Sequence, residues 1–328
     1  MNNVAIKQSV QETKTVQKMP KPPIECVPAI YAQSLTKSLG GRHLISDFSV
    51  SLTKPSITGL MGRNGSGKTT LLRMCAGLTL PSSGTLQIWG SNPVNNLDVL
   101  RRLIYSRPDV TYSRGLYLDQ IIDDYALVFA NFDKAFAGRV MAHFNMDSNQ
   151  SYHSLSQGEK STFNLLCALA TRAPLTMLDE PTLGMDIPTQ KAAFELLSFE
   201  QAQHPRNFLI AGHLISDILT LLDDLIIINK GSVSIHDSLE NLHHYAYRVE
   251  GERAALDSFA SGKKILHKDF GELRSSLVIV GSANDEIIAQ AQTAQLQLSA
   301  ILMEDLYTYL SSDHLNSDQE RGELPCLW

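Results

Sequence analysis

The sequence predicts an α/β fold, a largely parallel sheet covered by helices, followed by a small α+β appendage. Three observations carry that prediction. From Ala29 to about Asn241, apolar runs of strand length alternate with stretches of helical spacing, the pattern of parallel strands joined by helical crossovers. The glycine-rich stretch "GRNGSGKTT" (Gly62–Thr70) stands between one such run and a helical pattern, an order at home in open α/β sheets. After Asn241 the texture changes to isolated strands and short helices, from which a second, smaller unit is expected.

Taken in order, residues 1–28 are polar, contain Lys, Gln and Pro without periodicity, and are expected to form a disordered leader. The main domain is expected over 29–240. In it "FSVSL" (Phe48–Leu52) and "SITGLMG" (Ser56–Gly62) read as strands, a helix starts at Lys68, and "GTLQIWG" (Gly84–Gly90) is a strand bounded by glycines. Helical spacing dominates from Leu118 to about Met146. "HSLSQGEKS" (His153–Ser161) then sets a small hydroxyl and a glycine before the apolar run Phe163–Ala170, the composition of a helix start. "LTMLD" (Leu175–Asp179) and "NFLIAGH" (Asn207–His213) read as buried strands separated by a helix around Thr189–Ala202, and Leu225–Ile228 suits another buried strand. In the appendage, 241–311, "YAYRVEG" and "SLVIVG" look like strands, with helices at Glu252–Ala260, Asp285–Gln297 and Met303–Leu310. Residues 312–328 read as a flexible tail.

A chain of 328 residues holds one large domain and a small one. Its 43% apolar and 19% charged residues are an ordinary globular composition. The formal charge of -6 lends no support to binding nucleic-acid phosphates, and no nucleic-acid partner is expected. The four cysteines show neither metal-ligand spacing nor a disulfide framework, which fits a reducing compartment. Cys75 and Cys167 fall in apolar helical stretches, as buried hydrophobes do. The first residues lack the apolar centre of a signal peptide. No window approaches the roughly eighteen apolar residues of a membrane span, so any membrane role is expected to come through a partner.

Gly62, Arg63, Asn64, Gly65, Ser66, Gly67, Lys68, Thr69 and Thr70 match G-x-x-x-x-G-K-[ST] in its required strand–loop–helix setting. The glycines let backbone amides turn inward around phosphate oxygens, and the helix N-terminus adds its dipole. Lys68 is expected to reach the β- and γ-phosphates and the Thr69 hydroxyl to ligate Mg2+. Such a match arises by chance in about 1% of chains of this length. "LTMLDEP" (Leu175–Pro181) places Asp179 at a strand end beside the loop, able to hold Mg2+ through its water shell. Glu180 is expected to face elsewhere, because strand residues alternate faces, and to polarise the attacking water. Alone, such an acidic pair reads as a solvated turn; beside a phosphate loop it reads as metal and water chemistry. His213, at the end of the next strand, is placed to reach the γ-phosphate.

Gly62–Thr70, "LSQGE" (Leu155, Ser156, Gln157, Gly158, Glu159), "LTMLDEP", "LGMD" (Leu183–Asp186) and His213, in this order, resemble the nucleotide-binding subunit of an ABC transporter over about Ile30 to Ser238. The phosphate loop is shared by many NTPase families; "LSQGE" ahead of the acidic strand is close to unique to this one. The resemblance implies a P-loop NTPase of ABC type: a RecA-like parallel-sheet core with an antiparallel β subdomain and a helical subdomain at about 110–172. It implies ATP and Mg2+ as ligands, ATP hydrolysis coupled to transport, and catalytic roles for Glu180, His213 and Lys68. It also implies a head-to-tail dimer, homodimeric or with a paralogous ATPase subunit. In that dimer the signature residues Leu155–Glu159 close over the ATP of the partner, and Asp186 lies in the D-loop. ABC transmembrane subunits would hold the chain on the cytoplasmic face of the membrane. The region ending "LSAILMEDLYTYL" (Leu298–Leu310) is similar to the C-terminal extension of exporter ATPases whose membrane subunits are separate chains.

Two positions depart from the family pattern. Leu39 in "LTKSLG" stands where an aromatic residue stacks on adenine, with Tyr31 as a substitute; Pro108 in "IYSRPDV" stands where a glutamine helps hold Mg2+ and signals to the membrane subunit. Asp109 takes over if that loop shifts by one residue. The alternatives are a soluble ABC ATPase acting on ribosomes or DNA, and a regulatory subunit that binds ATP but hardly turns it over. Against the first stand a single nucleotide-binding domain and no sustained heptads; against the second, the retention of Lys68, Asp179, Glu180 and His213.

Overall fold

The computed structural model describes residues 27–212, 218–271 and 275–311. All but the last two residues of the expected leader, the whole tail, and His213 lie outside the described residues. Three sheets organise the described chain. Strands β1 (Ile30–Leu39), β2 (Arg42–Leu52) and β4 (Ser83–Ile88) form an antiparallel sheet in the order β2-β1-β4. The strand between them, β3 (Ile57–Met61), belongs to a six-stranded sheet ordered β5-β6-β7-β3-β8-β9, with β5 (Leu103–Ser106), β6 (Leu175–Asp179), β7 (Asn207–Gly212), β8 (Asp224–Asn229) and β9 (Ser232–Ser238). Neighbours from β5 to β8 pair in parallel, and only β9 runs antiparallel, on β8. Every residue of β3 and β6 is buried, as expected of parallel strands with both faces covered. The largely parallel core read from the alternating runs is therefore present.

The helices that cover this sheet are α1 (Lys68–Cys75), α2 (Leu97–Leu100), α3 (Leu118–Val128), α4 (Lys134–His143), α5 (Gln157–Ala170) and α6 (Ile187–Gln203). Most of α5 is buried, from Ser161 to Ala170; a helix apolar all round is a core helix. Its seat is fixed by Asn164, whose amide and Tyr152 hydroxyl exchange bonds at 3.1 and 3.3 Å. At the C-terminal ends of α5 and α6, buried Arg206 donates to the Leu169 carbonyl at 3.2 Å and pairs with Glu200 at 3.4 Å. A cation there opposes the negative end of the helix dipole.

After α7 (Leu239–His243) the chain builds a third sheet: β10 (Ala246–Gly251), α8 (Arg253–Phe259), β11 (Ile265–Phe270), β12 (Ser275–Val280), α9 (Asp285–Thr293) and β13 (Gln297–Ala300). Its order, β11-β12-β10-β13 with every pair antiparallel, is that of a split β-α-β-β-α-β unit. The sequence pointed to two of these four strands. Residues of α8 and α9 share a small core with Tyr247, Val249, Leu277 and Ile279 on one face of the sheet. The final helix, α10 (Met303–Ser311), packs Met303, Leu306 and Leu310 in the same core as Leu225, Ile227, Ala246 and Val278. It thereby joins this unit to the six-stranded sheet at β8, and Arg248 locks it with a 2.9 Å ion pair to Asp305.

Candidate nucleotide site

The phosphate loop begins where β3 leaves the sheet. A Cβ on Gly62 would collide with the Ile228 carbonyl and come within 2.6 Å of the Ser66 hydroxyl, so no other residue fits there. Gly67 precedes α1 with φ 109° and no side-chain cap, and a Cβ on it would lie 2.5 Å from the Leu44 carbonyl. Only glycine adopts that conformation without strain. The first amides of α1 are thus left with neither an intrahelical acceptor nor a capping oxygen, which suits them to an anion. Arg63, Asn64 and Gly65 at the loop's tip are exposed, whereas Ser66 is buried and its Oγ has no partner.

Lys68 is 6% exposed and donates to the carbonyls of Gly62 (2.6 Å) and Arg63 (3.2 Å). Burial pulls its pKa down, and the carboxylates of Glu180 and Asp179 oppose that pull. The structure therefore brings Lys68, Asp179 and Glu180 together. Asp179 ends β6, 4% exposed, with Oδ2 accepting from the Tyr105 hydroxyl at 3.1 Å and Oδ1 buried without a partner. Burial raises its pKa; hydrogen bonding from Thr69 and Tyr105 works the other way. A carboxyl whose native pKa exceeds its unfolded value works against the fold once ionised. The penalty is absent below the unfolded pKa, grows as pH rises through it, and is complete above the native pKa. Asp179→Asn removes it. Nucleotide-free protein in EDTA is expected to melt higher than wild type at about pH 7, with the gain shrinking toward about pH 4. Thermal melts across that range check it, and a gain independent of pH would refute the charge argument.

The backbone at Glu180 differs from the expected strand alternation. It has left the strand for the left-handed region at φ 49°, while its amide still donates to the Ala211 carbonyl at 2.9 Å. The turn, not the pleat, redirects the side chain. Glu180 lines a small cleft of about 40 Å³ with Gly212, the residue before His213.

The signature residues lie on another part of the chain. Ser156 caps α5: its Oγ accepts from the Glu159 amide at 3.3 Å, and the Glu159 carboxylate accepts from the Ser156 amide at 2.7 Å. The Ser156 backbone amide, and after it the Ser156 hydroxyl, hold the Glu159 carboxyl below its usual pKa. Ser156, Gln157 and Glu159 are exposed, and Leu155 is buried. Gly158 has an in-chain reason to be glycine, because a Cβ would sit 2.5 Å from the Gly184 carbonyl. Ser161 Oγ donates to the Leu183 carbonyl at 2.7 Å. The start of α5 and the "LGMD" loop are thus one packed unit. Asp186 ends that loop by capping α6, accepting from the Thr189 amide at 2.9 Å.

At the departures, Leu39 is 68% exposed beside the Gly40–Gly41 turn. Tyr31 pairs with Ser51 at the far end of β1, roughly 20 Å from the register position of Lys37, which faces Ile45 near Gly67. Tyr31 does not substitute for the missing aromatic. Asp109 is exposed and pairs with Arg107 at 3.2 Å. The residue that sequence reasoning missed is Tyr105, whose link to Asp179 depends on β5 lying beside β6. A cavity of about 830 Å³ opens at the opposite, amino ends of the parallel strands, among Pro55, Arg102, Pro174 and Arg206. Its buried arginine is already committed to helix ends and Glu200, and it is remote from the phosphate loop.

The family profile described as ABC transporter matches residues 45–183. The chain is 28% identical over 221 residues to the ABC transporter ATP-binding protein YtrB of Bacillus subtilis, covering 67% of this chain and 76% of that one. It is 28% identical to the Nod factor export ATP-binding protein I of Ralstonia nicotianae (65% and 68% covered). It is also 28% identical to an aliphatic sulfonates import ATP-binding protein, SsuB 3, of Pseudomonas syringae (69% and 82% covered). A solved ATP-binding subunit of an ABC transporter superposes with a TM-score of 0.59 at 21% identity, over 66% of this chain and 92% of that one, which bears on fold alone. With the phosphate loop on β3–α1, the acidic strand beside it and these relatives in agreement, the chain carries an ABC transporter ATP-binding domain over residues 45–183 and is similar to the ATP-binding subunits of ABC transporters, which are ATPases.

Proposed function

We propose that this chain is the ATP-hydrolysing motor of an ABC exporter, closing head to tail with a second copy or a paralogous ATPase subunit. It would act from the cytoplasmic face of the membrane through separate transmembrane subunits. The observation that carries the dimer is the start of α5, exposed at Ser156, Gln157 and Glu159 and bonded to the "LGMD" loop. Among the described residues, no hydrogen bond joins residues 155–159 to residues 62–70. An exposed helix start left out of its own phosphate site fits one that completes another subunit's site.

In this reading the amides from Gly62 to Thr70 cradle the phosphates of ATP, and Lys68 turns from its own loop carbonyls to the β- and γ-oxygens. The buried, unpartnered Oδ1 of Asp179 and the Thr69 hydroxyl beside it suit Mg2+, with Asp179 acting through water. A Mg2+ ion held by these groups would supply neutralisation of charge developing on the phosphate oxygens. Glu180 polarises the attacking water, and His213, by the family pattern, helps to place it. The Leu155–Glu159 signature closes on the partner's γ-phosphate while Asp186 and its loop follow, since Gly158 and Gly184 are in contact. Closure on ATP and release on hydrolysis would drive the transmembrane subunit.

The exporter direction is supported by the C-terminal unit that ends in α10 and by a relative named for Nod factor export; a relative named for import stands beside it. Among the described residues no helix is long and apolar enough to cross a membrane, so the path would belong to a partner. The test is purification of the tagged chain from detergent-solubilised membranes. A multi-span protein is expected in stoichiometric amount, and ribosomes or nucleic acid in its place would overturn the proposal.

A further inference from the structure

We propose that Tyr105 is a positioning residue for the Mg2+ carboxylate, and that it supplies the tie between the β5 loop and the phosphate site which Pro108 cannot. This rests on the reading of Asp179 as a Mg2+ ligand. β5 is the edge strand, paired in parallel with β6, and Tyr105 lies opposite Met177, two residues short of Asp179. Two residues of strand span about 6.6 Å, a gap that a tyrosine side chain bridges from backbone to hydroxyl. Its hydroxyl donates to Asp179 Oδ2 at 3.1 Å. The other oxygen, Oδ1, is buried and unpartnered. Holding one carboxylate oxygen fixes where the other points, as outer-shell hydrogen bonds do at metal sites. Burial and the Asp179 charge keep the Tyr105 phenol protonated, so it stays a donor.

The same short segment reaches further. Ser106 Oγ donates to the Asn164 carbonyl of α5 at 3.4 Å, and the next residues, Arg107 and Asp109, pair with each other across Pro108. Among the described residues 103–110, Tyr105 is the one that donates a hydrogen bond to Asp179. Adjacent side chains of β5 thus contact the metal carboxylate and the signature helix, and a displacement of the loop is felt at both.

The experiment measures affinity for a fluorescent ATP analogue in Mg2+ and in EDTA. Tyr105→Phe keeps the ring and loses only the donor. Its affinity in EDTA is expected within about twofold of wild type, while the increment conferred by Mg2+ falls about tenfold, or about 1.4 kcal/mol. The Mg2+ concentration giving half-maximal ATPase rises in step. Equal losses in both buffers, or no change in either, would overturn the proposal, since a merely structural tyrosine would not act through the metal. Asp179→Asn is measured alongside. If it abolishes the Mg2+ increment, the premise stands and Tyr105→Phe alone decides. If the increment survives Asp179→Asn, the reading of Asp179 fails, and the role of Tyr105 with it.

Discussion

Glu180→Gln is expected to bind ATP with near wild-type affinity, to hydrolyse it slower by a factor of about 10² to 10⁴, and to accumulate as an ATP-bound dimer. The factor is the range that a positioned general base contributes. Glutamine matches glutamate in size and in the cost of the left-handed backbone at φ 49°, so the turn after β6 and its amide bond to Ala211 are retained. What changes is the charge. Glu180 is the foremost of the two carboxylates opposing the effect of burial on Lys68, so the variant holds its lysine charge less well without ligand. The phosphates of ATP supply the missing negative charge when bound, which is why affinity is retained. Single-turnover hydrolysis and size-exclusion chromatography with ATP read both effects. Undiminished turnover would sink the role given to Glu180, and loss of binding would show that its main work is to support Lys68.

Much of this was legible in the residues because it is local. The Gly62–Thr70 cradle, the cap at Ser156 and the buried strand before Asp179 each depend on a few consecutive residues, and chain order alone ties them to one family. Lateral neighbours were not legible. Tyr105 is 74 residues from Asp179 in the chain, and only the placement of β5 beside β6 brings them together. Glu180 was expected to turn away by strand alternation; the backbone leaves the extended region one residue sooner, which no apolar pattern signals. In the C-terminal unit, β11 and β13 were missed because they are largely exposed, "ILHKDF" and "QLSA". A strand at a sheet edge with one wet face shows no continuous apolar run. Gly158 was assigned to an anion, and the structure adds a packing reason, the Gly184 carbonyl against its Cα. Both reasons favour glycine, so the residue alone does not separate them.

Ser156 raises the same difficulty, since a serine that caps its own helix needs no second subunit to explain it. Ser156→Arg is expected to abolish ATP-driven dimerisation and turnover while leaving monomer affinity for a fluorescent ATP analogue within about twofold. It also removes the cap made to the Glu159 amide, which costs about 1 kcal/mol and lowers Tm by roughly 2–4 °C in a domain of this size. Ser156→Ala loses the same cap without adding bulk or charge and therefore isolates that cost. If the two variants melt alike yet only arginine blocks dimer formation, the surface at the start of α5 meets another subunit. Measured in the Glu180→Gln background, where the closed dimer is expected to persist, the contrast does not depend on turnover. If monomer affinity collapsed with arginine and not with alanine, Ser156 would lie at its own chain's phosphate site and head-to-tail closure would be wrong. Among the described residues no hydrogen bond joins residues 155–159 to the Gly62–Thr70 loop, and the first result is expected on that ground: a long cation at this exposed helix start would meet what docks there and not the nucleotide of its own chain.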